Sequence, residues 1–109
     1  MRSILFAALL AATMGAAPAP SQGNVTVHIR MFAFVPQTLR VVVGTSVRFV
    51  NDDSEAHTVT SSDRSFDSGG LDTGDAWVHV FSKVGTYAYF CALHPYMKGS
   101  VVVVKESGK

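Results

Sequence analysis

The sequence predicts an all-β fold, an antiparallel sandwich of short strands, on three observations. Runs of β-branched and aromatic residues alternate apolar with polar positions, as in Val25-Thr26-Val27-His28-Ile29-Arg30-Met31 and Ser46-Val47-Arg48-Phe49-Val50-Asn51. Turn residues break these runs at short intervals, at Pro36, Gly44, Gly69-Gly70 and Gly85. No long helical period competes with them in the body of the chain, and there is no internal repeat or low-complexity tract.

The first residues read as an address rather than as part of the fold. Met1-Arg2-Ser3 is a short basic start, Ile4 to Met14 is apolar, and Gly15-Ala16-Ala17-Pro18-Ala19-Pro20 supplies small residues suited to cleavage. That is the layout of a secretory signal peptide, assigned to residues 1–22, ahead of one domain over residues 23–109. The apolar run is short for a bilayer span and no second one follows. The mature form is therefore expected to be periplasmic or otherwise exported, and not membrane-embedded. Removing the leader takes Arg2 with it and leaves eight Lys+Arg against eight Asp+Glu. A balanced charge without like-charge runs offers no field for nucleic acid.

Taken in order, the strand at 25–31 is followed by Phe32-Ala33-Phe34-Val35, which continues the run until Pro36 interrupts it. Leu39-Arg40-Val41-Val42-Val43 leads to the turn at Gly44, and Ser46 to Asn51 alternates again. Asn51-Asp52-Asp53-Ser54-Glu55 is polar enough for a loop, and His57-Thr58-Val59-Thr60-Ser61 is a short β-branched strand. A flexible excursion is expected from Asp63 to Gly74. Trp77 to Phe81, Thr86 to Phe90 and Ser100 to Val104 complete the strands. His28 falls on the polar phase of its strand and is expected at the solvent. His79 shares a phase with Trp77 and Phe81, which makes it a core or rim histidine.

The chemistry concentrates in Tyr89-Phe90-Cys91-Ala92-Leu93-His94-Pro95-Tyr96-Met97-Lys98-Gly99, which holds the single cysteine of the chain. Cys91, His94 and Met97 offer a thiolate, an imidazole and a soft thioether, and His57 is the best candidate for a second imidazole. One thiolate, two imidazoles and a weak axial thioether describe an electron-transfer copper site. Two plainer readings compete: a buried helix face with spacing of three, and an inert buried thiol. Pro95 opposes the helix, because it removes a donor and biases His94 away from helical angles. An unpaired thiol in an oxidising compartment is open to oxidation, and holding it as a metal thiolate protects it. A loop from 91 to 97 is short enough to fold over one metal, while His57 must arrive from another strand.

Nearly all of the mature sequence resembles the cupredoxins of the plastocyanin/amicyanin family. The resemblance is carried by Phe32-Ala33-Phe34-Val35-Pro36, by Gly44 with Val47-Arg48-Phe49-Val50-Asn51, by His57, and by Gly85-Thr86-Tyr87-Ala88-Tyr89-Phe90-Cys91. The short loop Cys91-Ala92-Leu93-His94-Pro95-Tyr96-Met97 is most similar to that of amicyanins. The resemblance implies a Greek-key β-sandwich with one type 1 copper at one end and no catalysis of its own. It implies Cys91, His57 and His94 as equatorial ligands and Met97 as the axial one. It also implies a monomer that exchanges single electrons with redox partner proteins docking at an apolar surface near His94, Pro95 and Tyr96, with Leu93 and Phe32 close by. Many relatives carry asparagine after the first histidine, tying the ligand loops together. Here Thr58 stands there with a shorter reach, which bears on the reduction potential.

Other chemistries fit less well. Structural zinc takes four cysteine or histidine ligands and catalytic zinc three plus water, leaving the thioether without a role. A cysteine hydrolase needs a base, an orienting group and an oxyanion hole, and only His94 stands near Cys91 in sequence. A copper oxidase or nitrite reductase needs a second metal centre, for which only His28 and His79 remain. A copper delivery protein is the stronger rival, because it uses similar soft ligands.

Overall fold

The computed structural model describes Pro20 and residues 24–107. The expected leader, residues 1–22, lies outside the described residues apart from Pro20. Eight strands follow one another: β1 Asn24–Arg30, β2 Ala33–Val35, β3 Thr38–Val42, β4 Thr45–Asn51, β5 Thr60–Ser61, β6 Ala76–Phe81, β7 Gly85–Phe90 and β8 Lys98–Val104. They form two four-stranded sheets, ordered β2-β1-β4-β6 and β3-β8-β7-β5. The described residues contain no helix.

The sandwich expected from the sequence is present, and its sheets are mixed. Pairs joined by hairpins, β1–β2 and β7–β8, are antiparallel, while β1–β4 and β3–β8 are parallel. The parallel partners are never consecutive in the chain. It leaves one sheet for the other between them, which is the crossover that parallel pairing requires.

Alternation along each strand builds the core between the sheets. Val27, Ile29, Val41, Val47, Phe49, Val101 and Val103 are buried, while their neighbours Arg40 and Arg48 are exposed. Tyr89 crosses the middle, edge-to-face with Phe34 at 4.8 Å and with Phe49 at 5.5 Å. These T-shaped contacts add to what area burial alone supplies.

Two segments depart from the sequence reading. The strand expected at His57 to Ser61 is reduced to Thr60–Ser61. Residues 57–59 pair instead with the 63–74 excursion: His57 and Leu71 exchange backbone bonds of 3.0 and 2.7 Å, and Ser68 N–H donates to Val59 O at 2.9 Å. Phe66 and Leu71 are buried in the core, so this excursion is strapped down rather than flexible. The run expected to continue from β1 through Phe32 is broken at Met31 and Phe32, which take left-handed φ angles of 50° and 57°.

Gly99 lies opposite Tyr89 in the β7–β8 pair, and a Cβ there would stand 2.6 Å from the Tyr89 Cζ and Oη. The ring cannot yield, because Phe34 and Phe49 hold its faces and edges. Gly99→Ala is expected to cost about 1–3 kcal/mol through overpacking. Urea unfolding of the two proteins measures this, and an unchanged midpoint would show that the ring moves freely.

Candidate metal centre

Register brings the first two donors together. Tyr87, Tyr89 and Cys91 share the inward phase of β7, and Met97, Gly99, Val101 and Val103 share that of β8. The last rung within the strands pairs Phe90 with Lys98, and the next joins Cys91 N–H to Met97 O at 3.1 Å. Residues directly opposite in such a pair have side chains on one face, about 4.5–5.5 Å apart. Cys91 and Met97 are accordingly both buried inside the same end of the sandwich.

The residues between them form two successive tight turns. His94 N–H donates to Cys91 O at 3.2 Å, and Met97 N–H donates to His94 O at 2.9 Å. His94 therefore stands at the apex, half-buried, where Pro95 prevents the turn from continuing as helix. His57 comes from the segment strapped to Leu71 and is fully buried. Its loop is organised by Asn51, whose side chain donates to the carbonyls of Glu55 and Leu71 at 2.8 and 2.9 Å and accepts Asp53 N–H at 2.9 Å.

The structure thus unites the four residues proposed from the sequence at one end. Cys91 Sγ lies 3.6 Å from His57 Nδ1 and 3.6 Å from His94 Nδ1. First-row metal bonds of about 2.3 Å to sulfur and about 2.0 Å to imidazole, at tetrahedral to trigonal angles, separate two donors by about 3.5–3.7 Å. The observed spacing matches that requirement. A soft thioether on Met97 beside this N₂S set fits copper better than zinc.

Thr58 stitches the two ligand segments together. Its backbone N–H donates to Cys91 Sγ at 3.4 Å, and its hydroxyl accepts Ala92 N–H at 2.7 Å. The shorter side chain therefore does span the gap. His28 and His79 lie away from this cluster, as expected. His28 Nδ1 meets Asp52 at 2.7 Å near the surface, and His79 sits half-buried, stacked on Trp77 at 5.3 Å. Burial lowers the His79 pKa.

Two participants have roles the sequence did not show, although Phe32 is expected near the docking surface. Phe32 packs edge-to-face on both imidazoles, 5.1 Å from His57 and 4.9 Å from His94. Asp53 accepts the N–H groups of Met31 at 2.6 Å and Phe32 at 2.9 Å, and also meets His57 Nε2 at 2.8 Å. One carboxylate thus fixes a left-handed turn and a ligand ring, and a contact to Nε2 leaves Nδ1 for the metal. The single hint was a run of acidic residues four positions ahead of a histidine.

Residues 3–103 match the cupredoxin-like domain family. Amicyanin-alpha of Methylorubrum extorquens is 30% identical over 118 residues, covering 94% of this chain and 99% of that protein. Amicyanin of Paracoccus denitrificans is 29% identical over 93 residues, covering 81% and 71%. Among solved structures, a purple cupredoxin from Nitrosopumilus maritimus superposes with a TM-score of 0.69 at 34% identity, covering 72% of this chain and 98% of that one. A Cu-containing nitrite reductase from Thermus scotoductus reaches 0.71 at 33% identity, with 84% of this chain spanning 24% of that enzyme.

The chain belongs to the cupredoxin-like domain family. Within it the protein is a cupredoxin of the amicyanin type, a type 1 copper protein that carries single electrons.

The Asp53 contacts carry a pH dependence. Partial burial pushes its carboxyl up, but the amides of Phe32 and Met31 and the ring of His57 outweigh that and hold it below 3.8. Asp52 is likewise lowered, by Arg30 and His28. A depressed carboxyl stabilises the fold above its unfolded pKa and loses that contribution as pH falls through the folded one. The metal-free protein is expected to keep its Tm down to about pH 5 and to lose it progressively below about pH 4. Asp53→Asn is expected to flatten that decline in thermal scans, and an equally steep decline would rule out Asp53 as a contributor.

Proposed function

We propose that His57, Cys91 and His94 are the close ligands of the copper and Met97 its weak axial ligand. We further propose that electrons pass to and from larger redox proteins across the surface beside His94. The observation that carries the ligand set is the 3.6 Å spacing of Cys91 Sγ from both Nδ1 atoms, with Met97 opposite Cys91 on the same rung. Copper held there supplies a one-electron Cu(II)/Cu(I) couple. The protein's part is to keep four donors still. Cys91 and Met97 are fixed by the ladder, His57 by Asp53 and the Leu71 bridge, and His94 by its turn and by Phe32.

The exit follows from exposure. His94 is the one of the four that reaches the surface, and around it lie Leu93 at 56%, Tyr96 at 68%, Phe32 at 36% and Met31 at 88% exposure. An apolar rim lets a partner approach closely without stripping water from charges and still release quickly. We read the protein as a carrier rather than an enzyme. The likeness to nitrite reductase covers about a quarter of that chain, and the described residues offer one cluster of metal donors. Residues 1–22 read as a signal for export to the periplasm or beyond, where copper held by Cys91 would protect its unpaired thiol from oxidation. A copper delivery protein is the second reading, and the buried, stitched ligands weigh against the ready exchange it needs.

Cu(II) added to the purified protein is expected to produce an intense visible thiolate band. Cys91→Ser is expected to abolish it and to weaken copper binding by more than the roughly 10–100-fold that loss of a supporting contact alone costs. A retained band would remove Cys91 from the ligand set.

Tyr96→Lys is expected to slow electron exchange with a partner protein about fivefold or more, the effect of one interface contact of about 1 kcal/mol, while leaving the spectrum unchanged. Stopped-flow rates equal to wild type would place the exit on another surface.

A further inference from the structure

A line of hydroxyl groups leads from the ligand loops to the protein surface at Asp67. Thr58 Oγ1, which accepts Ala92 N–H at 2.7 Å, lies 2.8 Å from Thr60 Oγ1. Thr60 Oγ1 lies 3.1 Å from Asp67 Oδ1. Thr58 and Thr60 are buried, and Asp67 is exposed.

The proton order along this line is determined by its outer end. A carboxylate only accepts, and each hydroxyl has one proton to give. Thr60 therefore donates to Asp67 and must accept from Thr58. Thr58, its proton committed, turns its lone pairs to the amide of Ala92. Without the carboxylate, Thr60 has no reason to send its proton outward, and the opposite order becomes accessible. In that order Thr58 Oγ1 accepts from Thr60 as well as from Ala92, and its own proton is free to turn toward the amide, which weakens the Ala92 bond.

We propose that Asp67 is a positioning residue for the copper site, acting through Thr60 and Thr58 on the backbone that carries Cys91. The inference rests on reading Cys91 as a copper ligand. Thr58 is the lever: its hydroxyl holds the residue after the cysteine, and its own N–H donates to the sulfur at 3.4 Å. Hydrogen bonds to a ligand sulfur draw charge from it and favour the reduced metal. Relaxing Thr58 lengthens that bond and lowers the reduction potential. Asp67 also accepts Gly69 N–H at 2.9 Å through the same Oδ1, so both of its contacts use one oxygen. An amide oxygen has two lone pairs and can take over both.

The test compares Asp67→Ala, Asp67→Asn, Thr60→Val, Thr60→Ser and the double Asp67→Ala/Thr60→Val variant, using voltammetry of the copper-loaded protein and amide hydrogen exchange at Ala92 in the metal-free protein. Asp67→Ala and Thr60→Val are expected to lower the potential and to speed Ala92 exchange about fivefold, the factor that about 1 kcal/mol of hydrogen bonding converts to. Asp67→Asn and Thr60→Ser are expected to restore both readouts, and the double variant to match Thr60→Val alone. Unchanged potential and exchange in Asp67→Ala would overturn the proposal, as would strictly additive effects in the double variant. Asp67 lies at the surface, so its variants keep the core intact. Exchange at Ala92 reports on the hydroxyl line without copper. Absence of a thiolate band in wild type would refute the ligand reading and leave that readout standing.

Discussion

The rung between Cys91 and Met97 is the contact on which the site depends. It continues the β7–β8 ladder one step past Phe90 and Lys98, and in doing so it assigns both sulfur-bearing side chains to the inner face. A slip of one residue in β8 would turn Met97 outward while Cys91 stayed inward, because side chains alternate with a period of two. Register is held further down by Tyr89 lying over Gly99, where no other residue leaves room for the ring. The metal chemistry is thus anchored by packing in the middle of the sandwich rather than by the loop that displays it.

The second sheet enters through a different kind of contact. β4 ends at Asn51, whose buried amide shapes the following loop and brings His57 under Asp53. Thr58 then joins this segment to the cysteine loop. Side-chain hydrogen bonds perform this joining because the β5–β7 ladder ends at the Thr60–Phe90 rung, short of Thr58 and Ala92. A fully satisfied polar network specifies one arrangement, whereas apolar contact alone would tolerate several.

Much of this could be read from the chain. Alternation in β1, β4 and β6 predicted their faces, and the Cys91, His94 and Met97 spacing with Pro95 predicted a loop over a metal. The parallel pairings were not legible, because periodicity tells which face a residue takes and not which strand lies beside it. The 63–74 segment looked mobile from its glycines, yet Phe66 and Leu71 bury enough to hold it down. The role of Asp53 and the packing of Phe32 on the two imidazoles were hidden for a similar reason. Their roles arise from a turn at positive φ, and neither Met31 nor Phe32 advertises that conformation as glycine would.

The turn at Met31 and Phe32 constrains how the contact surface can diversify. Its two amides and the ring of His57 share the oxygens of Asp53, so its backbone cannot relax to ordinary angles without loosening the His57 ring. β-branched side chains are therefore disfavoured at both positions, while unbranched ones of any polarity fit the same frame. Recognition can be retuned here by exchanging side chains on a loop whose shape is fixed from within, so that new partners need not disturb the metal.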